Sequence, residues 1–166
     1  DNAFILKNTI AKKGQTAKPT KVRKNMYYKN SMDPSESQGA EFFADIDDDR
    51  PIFMVNMMTY KKHAEYEDGR ETNLSGREAY SLYGAEVVKL LAKRNAKPVF
   101  SGQLAGLMVG EVEELWDDIV IVQYPNKAAM LEMFTSAEYQ EIHVHRAAGL
   151  AGQLNIEARS EQFPIT

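Results

Sequence analysis

Two short runs of this chain are apolar on both faces when read as strands, and nothing else in the sequence restricts the fold as much. Pro51–Tyr60 (PIFMVNMMTY) puts Ile52, Met54, Asn56, Met58 and Tyr60 on one face, with Phe53, Val55, Met57 and Thr59 on the other. Asp117–Tyr124 (DDIVIVQY) repeats the pattern. Strands of this kind need cover on both faces of their sheet. Neither run approaches the roughly 18 apolar residues of a membrane span, so a membrane-spanning chain is not expected.

The segments between them read as helices and outer strands. Ser75-Gly76-Arg77-Glu78 matches a capping box, with Ser75 as N-cap. The helix it opens runs to about Asn95, with Tyr80, Tyr83, Val87, Leu90 and Leu91 as its apolar stripe. Lys97–Leu104 is a second strand, with Leu107-Met108-Val109 as its continuation, and Gly110–Glu114 turns the chain into Asp117–Tyr124. Asn126 caps a further helix carrying Met130, Leu131, Met133 and Phe134. Ala137–Ala148 is helical again and ends at Gly149 as C-cap residue. Gln153–Arg159 alternates as a fourth strand. The order β-α-β-β-α-β is the ferredoxin-like α+β arrangement, with both helical segments on one face of an antiparallel sheet. The first and third strands are apolar on both faces, so the face away from the helices still needs cover, and a second copy of the sheet supplies it. A homodimer built sheet to sheet is therefore expected.

Charge divides the chain before that fold begins. Residues 1–30 hold eight Lys and Arg against Asp1 alone, whereas residues 31–50 hold seven Asp and Glu against Arg50. The overall charge of −4 conceals this asymmetry, which is typical of a tail. Residues 1–50 thus read as a charge-segregated arm and 51–166 as the domain. An arm of such low apolar content orders only if its own domain, a sister subunit or a foreign partner holds it. Nucleic acid is not expected as a partner, because the acidic block offsets the lysines and no aromatic–basic pattern follows. The first residue is Asp1, compatible with a leader removed on the way to an organelle or to export. Asp45–Asp49 (DIDDD) lacks the glycine and terminal glutamate of an EF-hand loop and reads as a solvated linker.

Residues along the domain resemble one family. Val55-Asn56-Met57-Met58, Ser75-Gly76-Arg77-Glu78-Ala79-Tyr80, Tyr83-Gly84, Trp116-Asp117, Tyr124-Pro125 and Glu138-Tyr139-Gln140 with Arg146 follow one another in the order of the domain of unknown function 1330 family. That family lies within the dimeric α/β-barrel superfamily, and the resemblance covers about Pro51–Arg159. It implies a ferredoxin-like protomer whose sheet closes against a partner's into a barrel, with a pocket in each half. Cofactor-free monooxygenases, isomerases, cyclases, haem enzymes and ligand-sensing domains share the superfamily. The family itself has no assigned reaction, so the fold alone names no activity.

The residue inventory narrows the chemistry. Zero cysteines exclude disulfides, thiolate metal sites and cysteine nucleophiles. No Gly-rich phosphate loop, serine elbow or HExxH motif appears, and no motif calls for a cofactor. Three histidines are present, His63, His143 and His145. On a helix, His143 and His145 point about 200° apart, so they do not form a metal pair. His143 instead shares a face with Tyr139, Ile142 and Arg146. A His143–Arg146 pair in a pocket suits acid/base work beside an anion clamp, and a hydrogen-bonded interface histidine is the competing reading. Asn56 and Gln123 interrupt apolar strands, either to meet a ligand or to pin strand register. Tyr60, Tyr80, Tyr83 and Tyr124 are candidate phenolic donors or core aromatics, and Tyr139 completes the expected substrate-binding set.

Two functions remain in view. One is a metal-free, enzyme-like domain that binds an aromatic or keto/enol molecule, with acid/base, oxygenase-type or isomerase-type chemistry. The other is a non-catalytic scaffold that residues 1–50 tether into a larger assembly.

Overall fold

The structure, a computed structural model, describes residues 29–160. Helix α1 (Glu36–Phe42) precedes strand β1 (Ile52–Tyr60), helix α2 (Gly76–Ala92), strands β2 (Lys97–Gln103) and β3 (Asp118–Tyr124), helices α3 (Lys127–Thr135) and α4 (Ala137–Gly149), and strand β4 (Leu150–Ala158). The four strands form one antiparallel sheet in the order β2-β3-β1-β4. This is the ferredoxin-like α+β fold, and the two strands with apolar faces are its central pair.

Register decides which side chains meet the helices. Ile52 pairs with Tyr124, Met54 with Val122, Asn56 with Val120 and Met58 with Asp118. Ile52, Met54, Met58, Val122 and Tyr124 are buried beneath α2, α3 and α4 together with Tyr83, Leu90, Leu91, Met130, Met133 and Tyr139. The alternate residues Phe53, Val55, Met57, Ile119 and Ile121 point to the other face, where they are half-buried.

Helix starts follow from local chemistry. The Ser75 hydroxyl accepts from Glu78 N–H at 3.2 Å while the Glu78 carboxylate accepts from Ser75 N–H at 2.7 Å. Those same bonds hold the Glu78 carboxyl below its usual range. Asn126 caps α3 and Ser136 caps α4. Gly149 is not the left-handed terminator that its place in the sequence suggests. The following Leu150 is extended, and a Cβ on Gly149 would stand 2.3 Å from the Gly76 carbonyl oxygen. Gly149 and Gly76 therefore allow α4 and α2 to touch backbone to backbone.

β2 ends at Gln103, and Leu107-Met108-Val109 does not extend it. Met108 is 99% exposed in a turn that Gly110 closes at φ 96°. β4 starts three residues before the expected Gln153, directly from the α4 terminus.

Residues 29–50 fasten to their own domain. Ser31 exchanges two backbone hydrogen bonds with Gln153 on the outer edge of β4, at 3.1 and 3.2 Å. The Asn30 side-chain oxygen accepts from the buried Trp116 indole at 2.9 Å. Buried Lys127 donates to the Phe42 carbonyl and to Asp45, both at 2.6 Å, and pairs with Glu157 at 3.0 Å. Arg159 ties Asp45 and Asp48 to Glu157. Most of the basic stretch, residues 1–28, lies outside the described residues.

Candidate functional site

Between α2 and the sheet lies a cavity of about 250 Å³. Its floor is Met54, Asn56, Val120, Val122 and Tyr124, supplied by alternate positions of β1 and β3. Its wall is the α2 stripe Tyr80, Tyr83 and Val87, where steps of three and four residues keep one helix face toward the sheet. Tyr139 of α4 closes one side, and the exposed Val88, Pro98 and Ser101 form its mouth.

Four phenols converge here. Burial pushes the Tyr80 hydroxyl up to about 12 against the opposing charge of Arg146. Burial likewise raises Tyr83, Tyr124 and Tyr139. All four stay protonated near neutral pH and act as hydrogen-bond donors. The rings of Tyr83 and Tyr139 meet edge to face, with centroids 6.2 Å apart. The hydroxyls of Tyr80 and Tyr124 bond to no side chain or backbone group among the described residues, which leaves their donors for a guest.

Asn56 reaches the cavity, yet its amide nitrogen donates to the carbonyls of Met54 at 3.0 Å and Val120 at 3.2 Å. Its nitrogen thus pins β1 against β3, the register role, at a position that also lines the cavity.

His143 and Arg146 are brought together, but behind the cavity and not on its surface. Arg146 is buried and donates to His143 Nε2 at 2.9 Å, to the Met32 carbonyl at 2.5 Å and to Asp33 at 3.4 Å. A guanidinium is always a donor, so Nε2 of His143 is the acceptor and the ring is neutral with its proton on Nδ1. Burial lowers the His143 pKa, and the Arg146 charge lowers it further against the pull of Asp33. The expected acid/base atom is therefore occupied, because the segment around Met32 and Asp33 draws Arg146 outward from the cavity. The two residues reach the site only through Tyr139, whose ring lies 5.5 Å from that of His143.

Two further candidates stand apart. Gln123 lies on the opposite sheet face, since it is one residue out of phase with Val122 and Tyr124. Tyr60 lies beyond the end of the cavity, where its hydroxyl donates to Asp118 at 2.9 Å and its ring lies under Arg77 at 4.7 Å. His145 faces away from His143 and meets the Tyr66 hydroxyl at 2.7 Å. Among the described residues no group of three His, Asp or Glu side chains is placed to hold a metal ion. No helix among them is long and apolar enough to cross a membrane.

The sequence reading overlooked Asp33, Arg77 and Asp118. Asp118 had a signal, a charge in phase with Val120, Val122 and Tyr124 on a face otherwise buried. Asp33 had none, because its contact with Arg146 spans more than a hundred residues.

Comparison with known proteins follows the same outline. Two crystal structures of the RPA0582 protein resemble the chain. The methylated form matches at 32% identity and TM-score 0.74, over 82% of this chain and 98% of that one. The other, from Rhodopseudomonas palustris and described as of unknown function, matches at 29% and 0.73, over 81% and 99%. No curated protein matches. The model of the family described as Domain of unknown function (DUF1330) matches residues 70–157, which span α2 through β4 and most of the cavity wall. The chain belongs to the DUF1330 family.

Proposed function

We propose that this chain is a small-molecule-binding, enzyme-like domain that takes one aromatic or keto/enol molecule into the cavity between α2 and the sheet. The observation that carries the reading is the cavity itself, with apolar walls and unpaired phenol donors. An apolar cavity of about 150 Å³ is enough for benzene, so about 250 Å³ suits one substituted ring. Neutral phenols polarise a carbonyl or enolate oxygen without giving up their own protons, and they do so best where water is scarce. Tyr83, Tyr139 and His143 follow one another in ring contact, so the phenol wall continues toward the His143–Arg146 pair. In this arrangement Arg146 and His143 position Tyr139, and the phenols act as neutral hydrogen-bond donors in place of the acid/base role expected of His143.

The second part of the proposal is a homodimer. Phe53, Val55, Met57, Ile119, Ile121 and Leu154 form an apolar sheet face on the side away from the helices, continued by exposed Phe100 and Ile156. A face of that extent is typical of an interaction surface. Any tether to a larger assembly rests on residues 1–28, because residues 29–50 are fastened to their own domain.

Titration with acetophenone, followed by NMR, tests the reading. The wild type is expected to bind with shifts at Val87, Tyr124 and Val122. Val87→Trp, which fills the cavity, abolishes binding, and Tyr124→Phe weakens it about fivefold, the worth of one neutral hydrogen bond. Equal binding by wild type and Val87→Trp, or none by the wild type, overturns it.

A further inference from the structure

One carboxylate on the helix-facing side of the sheet is held by only one of its oxygens. Asp118 opens β3 in phase with Val120, Val122 and Tyr124, opposite Met58 on one side and Gln103 on the other. Its Oδ2 accepts from the Tyr60 hydroxyl at 2.9 Å and from Arg77 Nη1 at 2.5 Å. Its Oδ1 is buried and accepts from no donor among the described residues. A buried acceptor without a donor is costly, and both neighbouring donors spend themselves on the same atom.

The surroundings say what kind of donor fits. Arg77 pairs with the carboxylate, so the local charge is already balanced and a guest need not be a cation. Burial and the bond to Asp118 push the Tyr60 pKa upward, so its proton stays in place and its hydroxyl remains a fixed strut. The Tyr60 ring touches Tyr80 at 5.4 Å, and Tyr80 is a wall of the cavity. Asp118 itself does not line the cavity; it lies one step along the same sheet face from Val120, which does.

We infer that Asp118 is the anchor of a hydrogen-bond-donor subsite at the Tyr80 end of the cavity, its bare oxygen accepting an O–H or N–H from a ring-sized ligand. The inference rests on the proposed binding cavity and names the class of molecule it selects. That class is a hydroxylated or aminated ring, or an enol, in preference to an ether or hydrocarbon of equal size. A site built around an unpaired acceptor discriminates strongly, because the analogue lacking the donor leaves the acceptor bare.

The test compares phenol, anisole and toluene as probes of the intact chain, by NMR titration. Wild-type protein is expected to bind phenol about tenfold more tightly than anisole or toluene, as for one hydrogen bond to a charged group. Asp118→Asn adds a sharper reading. Tyr60 and Arg77 both need an oxygen at Oδ2, so the new amide turns its nitrogen to the bare position and converts an acceptor into a donor. Phenol then loses its preference over anisole, and both gain over toluene, because either oxygen accepts from the amide. Equal affinity for the three probes in the wild type overturns the inference even if the variant fails to fold. An Asp118→Asn protein that keeps the wild-type phenol preference overturns it as well. In both cases the binding reading survives, since the rings still bind, whereas a wild type that binds none of the probes sinks both.

Discussion

At the scale of single residues, one guanidinium decides what a histidine can do. Arg146 donates to Nε2 of His143 and so fixes the ring as neutral, with burial reinforcing that state. Protonating His143 breaks this contact, and the unfolded chain takes up the proton more readily than the folded one. The sign follows: folding stability is complete above the ordinary histidine value of 6.5 and declines as pH falls below it toward the depressed folded value. His143→Gln keeps an acceptor for Arg146 without titrating. Urea midpoints at pH 7.5 and pH 5 are expected to fall more for the wild type than for this variant, and equal falls would count against the assignment. The grouping of His143, Arg146 and Tyr139 was legible because helical spacing is periodic. Its orientation was not, since the Met32 carbonyl and Asp33 that engage Arg146 carry no pattern in the sequence. Gln123 was misplaced for a simpler reason: a polar residue in an apolar strand signals a special position, and only the register says which face it serves.

At the scale of elements, what fastens α1 to the rest matters most. Burial alone would lower the Lys127 pKa, yet its bonds to Asp45 and Glu157 outweigh that and raise it, so the ammonium stays charged. Lys127→Met leaves Glu157 and Asp45 with Arg159 as their one remaining cation among the described residues and frees the Phe42 carbonyl. The expected loss is about 2 kcal/mol, below the value for a fully buried pair because Asp45 is half-exposed. Hydrogen exchange should then rise first over residues 36–50, before the sheet responds; uniform exchange across the molecule would be the contrary result. Central strands and capped helices were readable from the sequence, because apolar phase and capping boxes act over a few residues. The helix at Glu36–Phe42 was not, since only seven residues of modest apolar content form it and its stability comes from Lys127. The overlong reading of β2 has a similar origin. Apolar Leu107-Met108-Val109 looks like strand, but the glycines around it let the chain leave the sheet.

For the whole molecule, the helix side of the sheet is complete within one chain and the other side is not. Ile121 lies near the middle of the uncovered face, between Val55 and Phe100. Ile121→Glu is expected to halve the mass seen by light scattering while leaving the far-ultraviolet circular dichroism intact. An unchanged mass in both proteins would remove the dimer from the proposal. The face and the fold order were legible from the same two runs that bounded the problem at the outset.

The Ser31–Gln153 bridge carries a different implication. An outermost strand with bare amides is a template on which other chains polymerise, and a single borrowed residue caps that template on β4. The opposite border, β2, is blunted by other means: it begins Lys97-Pro98 and shifts register between Pro98 and Phe100. The two sheet borders are thus interrupted by unlike devices, one encoded locally and one lent by a segment some 120 residues away in the chain. Loss of residues 29–31 would uncover the Gln153 amide and carbonyl on the first border and leave the second unchanged.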